Sequence, residues 1–345
     1  MKLEYVDPIN DKRWYTFIEQ QNNSNIFHHP EWLKVLNSQY GYKIIAICNV
    51  NNGIILAGIP FCIVHSLTNK RKLISLPFSD YCNPLFSCDK EIKEVFLETK
   101  ILYKTKRIDS VEICYSTPDI SGFNSVVDSY LHLLDIKENE EKMMKSFDRT
   151  KRQGIAKAEK QGLEVVLSKE LPEVLSFFNL HLMTRKAKGV PVQPIGFFKK
   201  IYEHIIKNNL GFVILVKKDN VDIAGGLFMH YNKVLTYKYN ASHSDYLHLR
   251  PNNLIVWRAL QYGIHEGFKI FDFGKTDLDN EGLRRFKCDW GAVDLQNKFS
   301  YYPAVPEPGI LTSIKDKIVA PVIKTCPSFV CQFIGEMGYK YYPSI

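Results

Sequence analysis

The chain has 345 residues, 45% of them apolar and 13% aromatic, with a formal net charge of +8. That length suits two domains with cores large enough to need no disulfide or metal staples, and the composition is that of a globular protein. The charge excess fits an anionic substrate such as a nucleotide, coenzyme A or tRNA. Without interleaved aromatic and basic residues, it argues against DNA or RNA binding as an end in itself.

The eight cysteines stand at 48, 62, 82, 88, 114, 288, 326 and 331, with no CxxC pair, and most lie in apolar runs. They read as reduced core thiols rather than zinc ligands or a disulfide frame. The start, MKLEYVDPINDKRWY, lacks the apolar stretch of a signal peptide, and no run approaches eighteen uninterrupted apolar residues. The expectation is a cytoplasmic protein without a transmembrane helix.

Lys2 to Val6 reads as a strand, and Asn10-Asp11 as the cap of a helix through Gln20. His28-His29-Pro30 opens a second helix with Trp32, Val35 and Leu36 turned inward; two histidines with no further ligand nearby do not make a metal site. Lys43–Cys48, Asn51-Asn52-Gly53 and Ile54–Val64 predict a hairpin. Leu73 to Phe86 carries Pro77 and Pro84 around Ser79, Asp80, Tyr81 and Asn83, so it is no ordinary ladder strand. A helix over Lys90–Lys104 and strands at Ser110–Tyr115 and Ser125–Leu134 complete the first half.

Residues 137–162 begin with Glu138, Glu140 and Glu141 and continue with Lys142, Lys145, Arg149, Lys151, Arg152, Lys157 and Lys160. Acid first and base later complements a helix dipole, so one basic helix is expected there, with its charges solvated or facing phosphates. A strand (Leu163–Leu167), a helix (Ser168–Arg185), a Gly189/Pro191/Pro194 turn and a helix over 196–208 follow. Strands are expected at Gly211–Lys217, Val221–Tyr231 and Lys233–Ala241. Ala224-Gly225-Gly226 inside a strand implies close approach by backbone or ligand. The tail after Pro306 has Ile310, Leu311, Ile314, Ile318, Val322 and Ile323 at near-helical spacing. Its aromatics, Phe329, Phe333, Tyr339, Tyr341 and Tyr342, are expected to dock on the protein's own body, with peripheral membrane contact as the alternative.

Pro251 to Ala292, PNNLIVWRALQYGIHEGFKIFDFGKTDLDNEGLRRFKCDWGA, organises the second half. Leu254, Trp257, Leu260 and Ile264 form one helical face over Asn253–His265. Lys269–Phe273 predicts a buried strand ended by Gly274, and a polar loop leads to Leu283-Arg-Arg-Phe-Lys287. By itself this is a βα unit with a basic loop.

The run DFGKTDLDNEGLRRFKCDWGA resembles the C-terminal signature of the FemAB-like proteins within the GNAT acyltransferase superfamily. Its positions are Asp272, Phe273, Gly274, Lys275, Gly282, Phe286, Lys287, Trp290 and Gly291. The resemblance covers most of the chain and is densest from 145 to 292. It implies an α/β (α+β) fold of two tandem GNAT-like lobes, each a mixed twisted sheet flanked by helices. The expected boundaries are 1–140 (acceptor side), 141–305 (donor and catalytic side) and 306–345 (helical tail). The implied activity is transfer of an acyl or aminoacyl group to an amine or hydroxyl of a cell-envelope glycan or peptidoglycan precursor. The donor would be aminoacyl-tRNA or acyl-CoA, with no tightly bound cofactor and no metal.

The same resemblance puts Lys287 at the reaction centre, where its ammonium would stabilise an oxyanion. It places the LPFSDY-x-x-PL loop near the acceptor, making Asp80 the candidate to orient or deprotonate the nucleophile, with Tyr81, Asn83 and the Trp32 segment beside it. Thr184-Arg185 through Pro194 resembles a motif that would position Arg185 and Gln193. Tyr239, Asn252, Asp272, Lys275, Phe286, Arg152 and Arg250 complete the expected substrate contacts. Where an acetyl-CoA-dependent GNAT has a glycine-rich phosphate loop, this chain has Asp245 to Asn253, which favours the aminoacyl branch. Two alternatives stand: an acyl-CoA-dependent N- or O-acyltransferase acting on a sugar nucleotide, and a non-catalytic glycan- or protein-binding member.

Overall fold

The computed structural model describes residues 2–105, 108–115, 122–306 and 319–341. Two compact units emerge: Met1–Asp128 with Asn297–Thr312 and Met337–Ile345, and Ser129–Gln296 with Ser313–Glu336. The first boundary falls at 128/129, inside a strand, where the sequence reading set it at 140, and the tail is divided between units rather than standing apart. Ile310, Leu311, Ile314, Ile318 and Tyr342 lie outside the described residues.

Unit 1 begins with β1 (Lys2–Val6), α1 (Lys12–Glu19) and α2 (Pro30–Tyr40), then β2 (Lys43–Asn51) and β3 (Ile54–His65). Asn52 and Gly53 have φ of 50° and 80°, the left-handed pair that a tight hairpin turn requires. Next come β4 (Arg71–Ile74), β5 (Leu85–Phe86), α3 (Asp89–Thr105) and β6 (Ser110–Ile113). Sheet order is β1-β2-β3-β4-β6, with β5 on β3, and Ser300–Tyr302 closes it against β6. The β4–β6 pair is parallel and the others antiparallel. Buried Ile92, Val95 and Phe96 of α3 pack with Ile59, Phe61 and Val111 of the strands. The proline-bounded stretch leaves the ladder after Ile74, with Leu76 and Phe78 at φ of 64° and 60°. Such backbone in non-glycine residues is strained and persists only where neighbours hold it.

Unit 2 starts within β7 (Asn124–Asp135) and continues with α4 (Glu140–Ser146), α5 (Arg149–Glu159), β8 (Glu164–Ser168), α6 (Leu171–Lys188) and α7 (Ile195–Ile201). Strands β9 (Gly211–Lys218), β10 (Val221–Tyr231) and β11 (Val234–Ser242) lead to α8 (Pro251–His265), β12 (Ile270–Asp277), α9 (Glu281–Cys288) and β13 (Val293–Tyr302). Among the described residues of the tail, two helices follow, α10 (Ala320–Thr325) and α11 (Ser328–Gly338). The sheet runs β7-β12-β11-β10-β9-β8, antiparallel except for β11–β12.

One expectation is corrected here and another is narrowed. The single basic helix over 137–162 is two helices. Phe147 takes an extended ψ of 151°, and the Asp148 side chain caps α5 by accepting from Lys151 N. Phe147 is buried edge-on to Trp257 and Trp290, and burying that ring outweighs a continuous helix. At the Gly225-Gly226 pair the expected close approach is made by the protein's own packing. A Cβ on Gly225 would meet Leu215 and Phe177 of α6 at 3.0 Å, and one on Gly226 would meet Ile255 of α8 at 3.0 Å and Tyr237 at 2.7 Å. The two glycines let a helix settle on each face of β10.

Candidate active site

The site in unit 2 begins with a defect in β12. Its parallel ladder with β11 ends at Thr236↔Asp272, although β11 runs on to Ser242 and β12 to Asp277. On the other side, the register with β7 jumps between Asp272↔Leu133 and Lys275↔Leu131. Phe273 and Gly274 together therefore oppose His132, which is a bulge. The sequence Asp-Phe-Gly makes it. Asp272, fully buried, accepts from Gly274 N at 2.8 Å through Oδ1, and Gly274 supplies a φ of +69°. Gly274 thus kinks the strand, where the sequence reading had it end there.

The bulge turns two carbonyls toward α9. Lys287 is 5% exposed, and its Nζ donates to Gly274 O and Lys275 O, each at 2.9 Å. Asn280 starts α9 by accepting from Leu283 N. A buried ammonium fixed by two carbonyls is a preorganised positive centre at the point where two strands part.

Around it lies a cluster that sequence reasoning missed. His132 is fully buried, with Nδ1 3.8 Å from Cys288 Sγ and 3.9 Å from Asp294 Oδ1. Burial, reinforced by the positive charge of Lys287, pulls its pKa down to about 4, so the imidazole is neutral. Asp294 in turn holds Arg284, whose guanidinium lies 3.8 Å over the Tyr130 ring. These residues come from β7, α9 and β13, so no local spacing betrays them.

A second grouping surrounds α5. Lys151 is 6% exposed, pairs with Asp289 at 3.5 Å and sits 4.4 Å over the Phe286 ring. Desolvation lowers its pKa despite the carboxylate. It shares a helix face with buried Ile155 and Ala158, and a lysine in that apolar stripe was the available signal. Arg152 does not join it: its Nη1 donates to Phe147 O at 2.6 Å.

Other expected contacts are engaged with the protein itself. Arg185 Nε donates to Pro191 O at 3.0 Å and thereby braces its own loop. Gln193 Oε1 lies 3.1 Å from His181 Nε2, and Tyr239 packs against that imidazole with Phe197 and Phe198. Asn252 Oδ1 accepts from Ser242 Oγ at 2.8 Å and Asn240 Nδ2 at 3.2 Å, which ties the start of α8 to β11. The Lys275 side chain is exposed, and Arg250 stands at the α8 N-terminus with a left-handed φ of 62°.

In unit 1, Trp32 is fully buried and donates through Nε1 to Ser79 Oγ at 3.0 Å, so it secures the loop and has no surface for a substrate. Asn83 O lies 2.8 Å from His28 Nε2, and its Nδ2 donates to Asn23 O. His29 caps α2 by accepting from Glu31 N. Tyr81 packs edge-on to Phe27, and the carbonyl of buried Asp80 accepts from Asn297 Nδ2 at 3.0 Å.

Comparison with known proteins fits this geometry. Residues 145–287 match the family model described as Acetyltransferase (GNAT) domain. A Lipid II:glycine glycyltransferase of Staphylococcus aureus is 25% identical over 114 residues, 31% of this chain and 27% of that protein. The match thus spans little more than a quarter of the relative's length. In fold, the chain is similar to FemX (TM-score 0.71, 15% identity, 91% of this chain and 100% of that one). It is also similar to L-PGS from Bacillus licheniformis (TM-score 0.57, 15% identity, 92% and 98%). A tandem GNAT protein from the clavulanic acid biosynthesis pathway superposes with a TM-score of 0.55 at 8% identity, covering 89% and 100%. The chain thus carries an acetyltransferase (GNAT) domain match in its second unit and shares its overall fold with FemX and with a tandem GNAT protein.

Proposed function

We propose that this protein transfers an acyl or aminoacyl group onto an amine or hydroxyl of a cell-envelope precursor, with a peptidoglycan precursor as the first candidate. The observation that carries the reading is the Lys287 ammonium, buried and held by two carbonyls where β11 and β12 separate. Acyl transfer passes through a tetrahedral oxyanion, and a fixed cation in a site of low dielectric stabilises it without reorganising. In unit 1, Asp80 is assigned the acceptor side, orienting or deprotonating the nucleophile. The likeness of one stretch to a lipid II glycyltransferase supports a muropeptide acceptor.

Aminoacyl-tRNA is the preferred donor. Asn252, at the start of α8, is bound into a side-chain network, and the preceding segment has no glycine-rich loop to bring backbone N–H groups onto a diphosphate. Acyl-CoA is the second reading. Direct binding of acetyl-CoA and of a mixed aminoacyl-tRNA pool, each at two salt concentrations, separates them. Salt-sensitive binding of charged tRNA alone supports the first reading, and CoA binding that persists in salt supports the second.

A further inference from the structure

α11 docks with its least bulky face. It buries Cys331 and Gly335, and Gly335 lies so near the Val192 carbonyl that a Cβ there would stand 1.8 Å from it. The opposite face carries the large side chains. Phe329, Phe333 and Met337, spaced four residues apart, are 70%, 62% and 57% exposed, and Val330 and Ile334 are only half-buried beside them. Polar side chains are confined to one edge, Ser328, Gln332 and Glu336, and Glu336 is the one charge on the helix. A helix that is apolar nearly all round belongs in a buried setting, yet half of this one stands in water.

Size and charge decide what covers that face. The three side chains leave roughly 350–400 Å² of apolar surface in solvent, half of the ~800 Å² per partner that a stable protein interface buries. A second copy packed on this stripe alone would not hold. A lipid surface needs no such area, because apolar side chains that enter it leave water without any matching of shape. At eleven residues α11 is too short to span a bilayer, and no described helix is long and apolar enough to do so. Exposed Lys324 and Lys340 bracket the helix in the chain, and the net charge of +8 favours an anionic surface.

We propose that α11 docks the protein on an anionic bilayer, lying in the surface plane with Phe329, Phe333 and Met337 inserted where headgroups meet acyl chains. The small residues Cys331 and Gly335 keep the helix on the body while the phenyl rings point outward. The proposal goes beyond the transferase reading and rests on α11 alone, so it holds whether or not the protein transfers a group.

The test is flotation of the full-length protein with unilamellar vesicles of phosphatidylcholine, alone or mixed with phosphatidylglycerol. Wild type is compared with the double variant Phe329→Ser/Phe333→Ser and with Leu67→Ser. Leu67 is 64% exposed, as much as the stripe residues, but stands between β3 and β4 of unit 1, so it controls for exposed apolar area elsewhere. Wild type is expected to float with the mixed vesicles and to bind the neutral ones more weakly. The double substitution should lower binding to the mixed vesicles by about tenfold or more, with Leu67→Ser as wild type. A Phe333→Trp variant reads insertion directly. Trp14, Trp32, Trp257 and Trp290 are all buried, so quenching by lipids brominated on their acyl chains reports the new ring at position 333. Such quenching supports the proposal. Absence of vesicle binding, binding that the double variant retains, equal binding to neutral and anionic vesicles, or binding without quenching overturns it. Light scattering tests the rival occupant: a dimer that the double variant dissolves would make the stripe a contact between copies of the chain and overturn the proposal as well.

Discussion

Replacing Lys287 with alanine removes a buried ammonium that donates to Gly274 O and Lys275 O at 2.9 Å each. Hydrogen bonds from a charged group contribute about 1.5–3 kcal/mol apiece. Against them stands the desolvation of a charge that alanine no longer buries, which offsets part of the sum. The net loss expected is roughly 2–4 kcal/mol, because the bulge carbonyls lose their donor while the backbone around Gly274 stays kinked. For a unit of this size that lowers Tm by about 5–15 °C. The two carbonyl contacts make Lys287 part of the scaffold as well as of the proposed chemistry. Turnover measured at a temperature where the variant remains folded should fall by about two orders of magnitude or more, the usual effect of deleting one oxyanion donor. Thermal melts and single-turnover transfer, run on the same preparation, read the two effects separately. A variant with unchanged Tm and near-normal turnover would refute both roles.

Asp272→Ala removes the acceptor that fixes the bulge at Gly274 N, and a loss of about 1–3 kcal/mol in urea unfolding is expected; a change below half of that would mean the bulge holds itself. Buried His28 and His132 have pKa values pulled down to about 4, and His181 to about 3, by desolvation. Their folded values lie below the unfolded one, so the stability from keeping them neutral is complete above pH 6.5 and lost as pH falls toward 4. Tm should drop steadily across that window and drop less steeply in His181→Asn; a flat profile contradicts the assignment. In the tail, a Cβ on Gly335 would lie 1.8 Å from Val192 O, so Gly335→Ala should undock α11 or cost about 2–3 kcal/mol. Limited proteolysis near Ser328 should then speed up, and an unchanged digestion pattern argues against that packing.

Local signals carried most of the elements. Asn52-Gly53 marked its hairpin, the prolines at 77 and 84 marked a break in the ladder, and β9, β10 and β11 were legible within a residue or two. Long-range choices were hidden. Gly274 reads locally as a strand terminator, and only the partner strand, which places His132 opposite two residues, turns it into a bulge. Phe147 breaks a helix that its neighbours favour because two tryptophans distant in sequence bury it. The signature residues singled out Lys287, but the two carbonyls it holds are visible only in the geometry. Arg152 and Lys151 are adjacent and equally basic in sequence. Their different positions around α5 put one on a carbonyl and the other against the Phe286 ring.

The most direct test of the central claim is group transfer itself. Purified protein is incubated with a muropeptide precursor and either a mixed aminoacyl-tRNA pool or acyl-CoA, and the acceptor is read by mass spectrometry. The account predicts an acceptor heavier by one aminoacyl or acyl group, with the gain lost in Lys287→Ala. An acceptor of unchanged mass with both donors, bound tightly by the protein, would contradict it and make this chain a glycan-binding member of the fold.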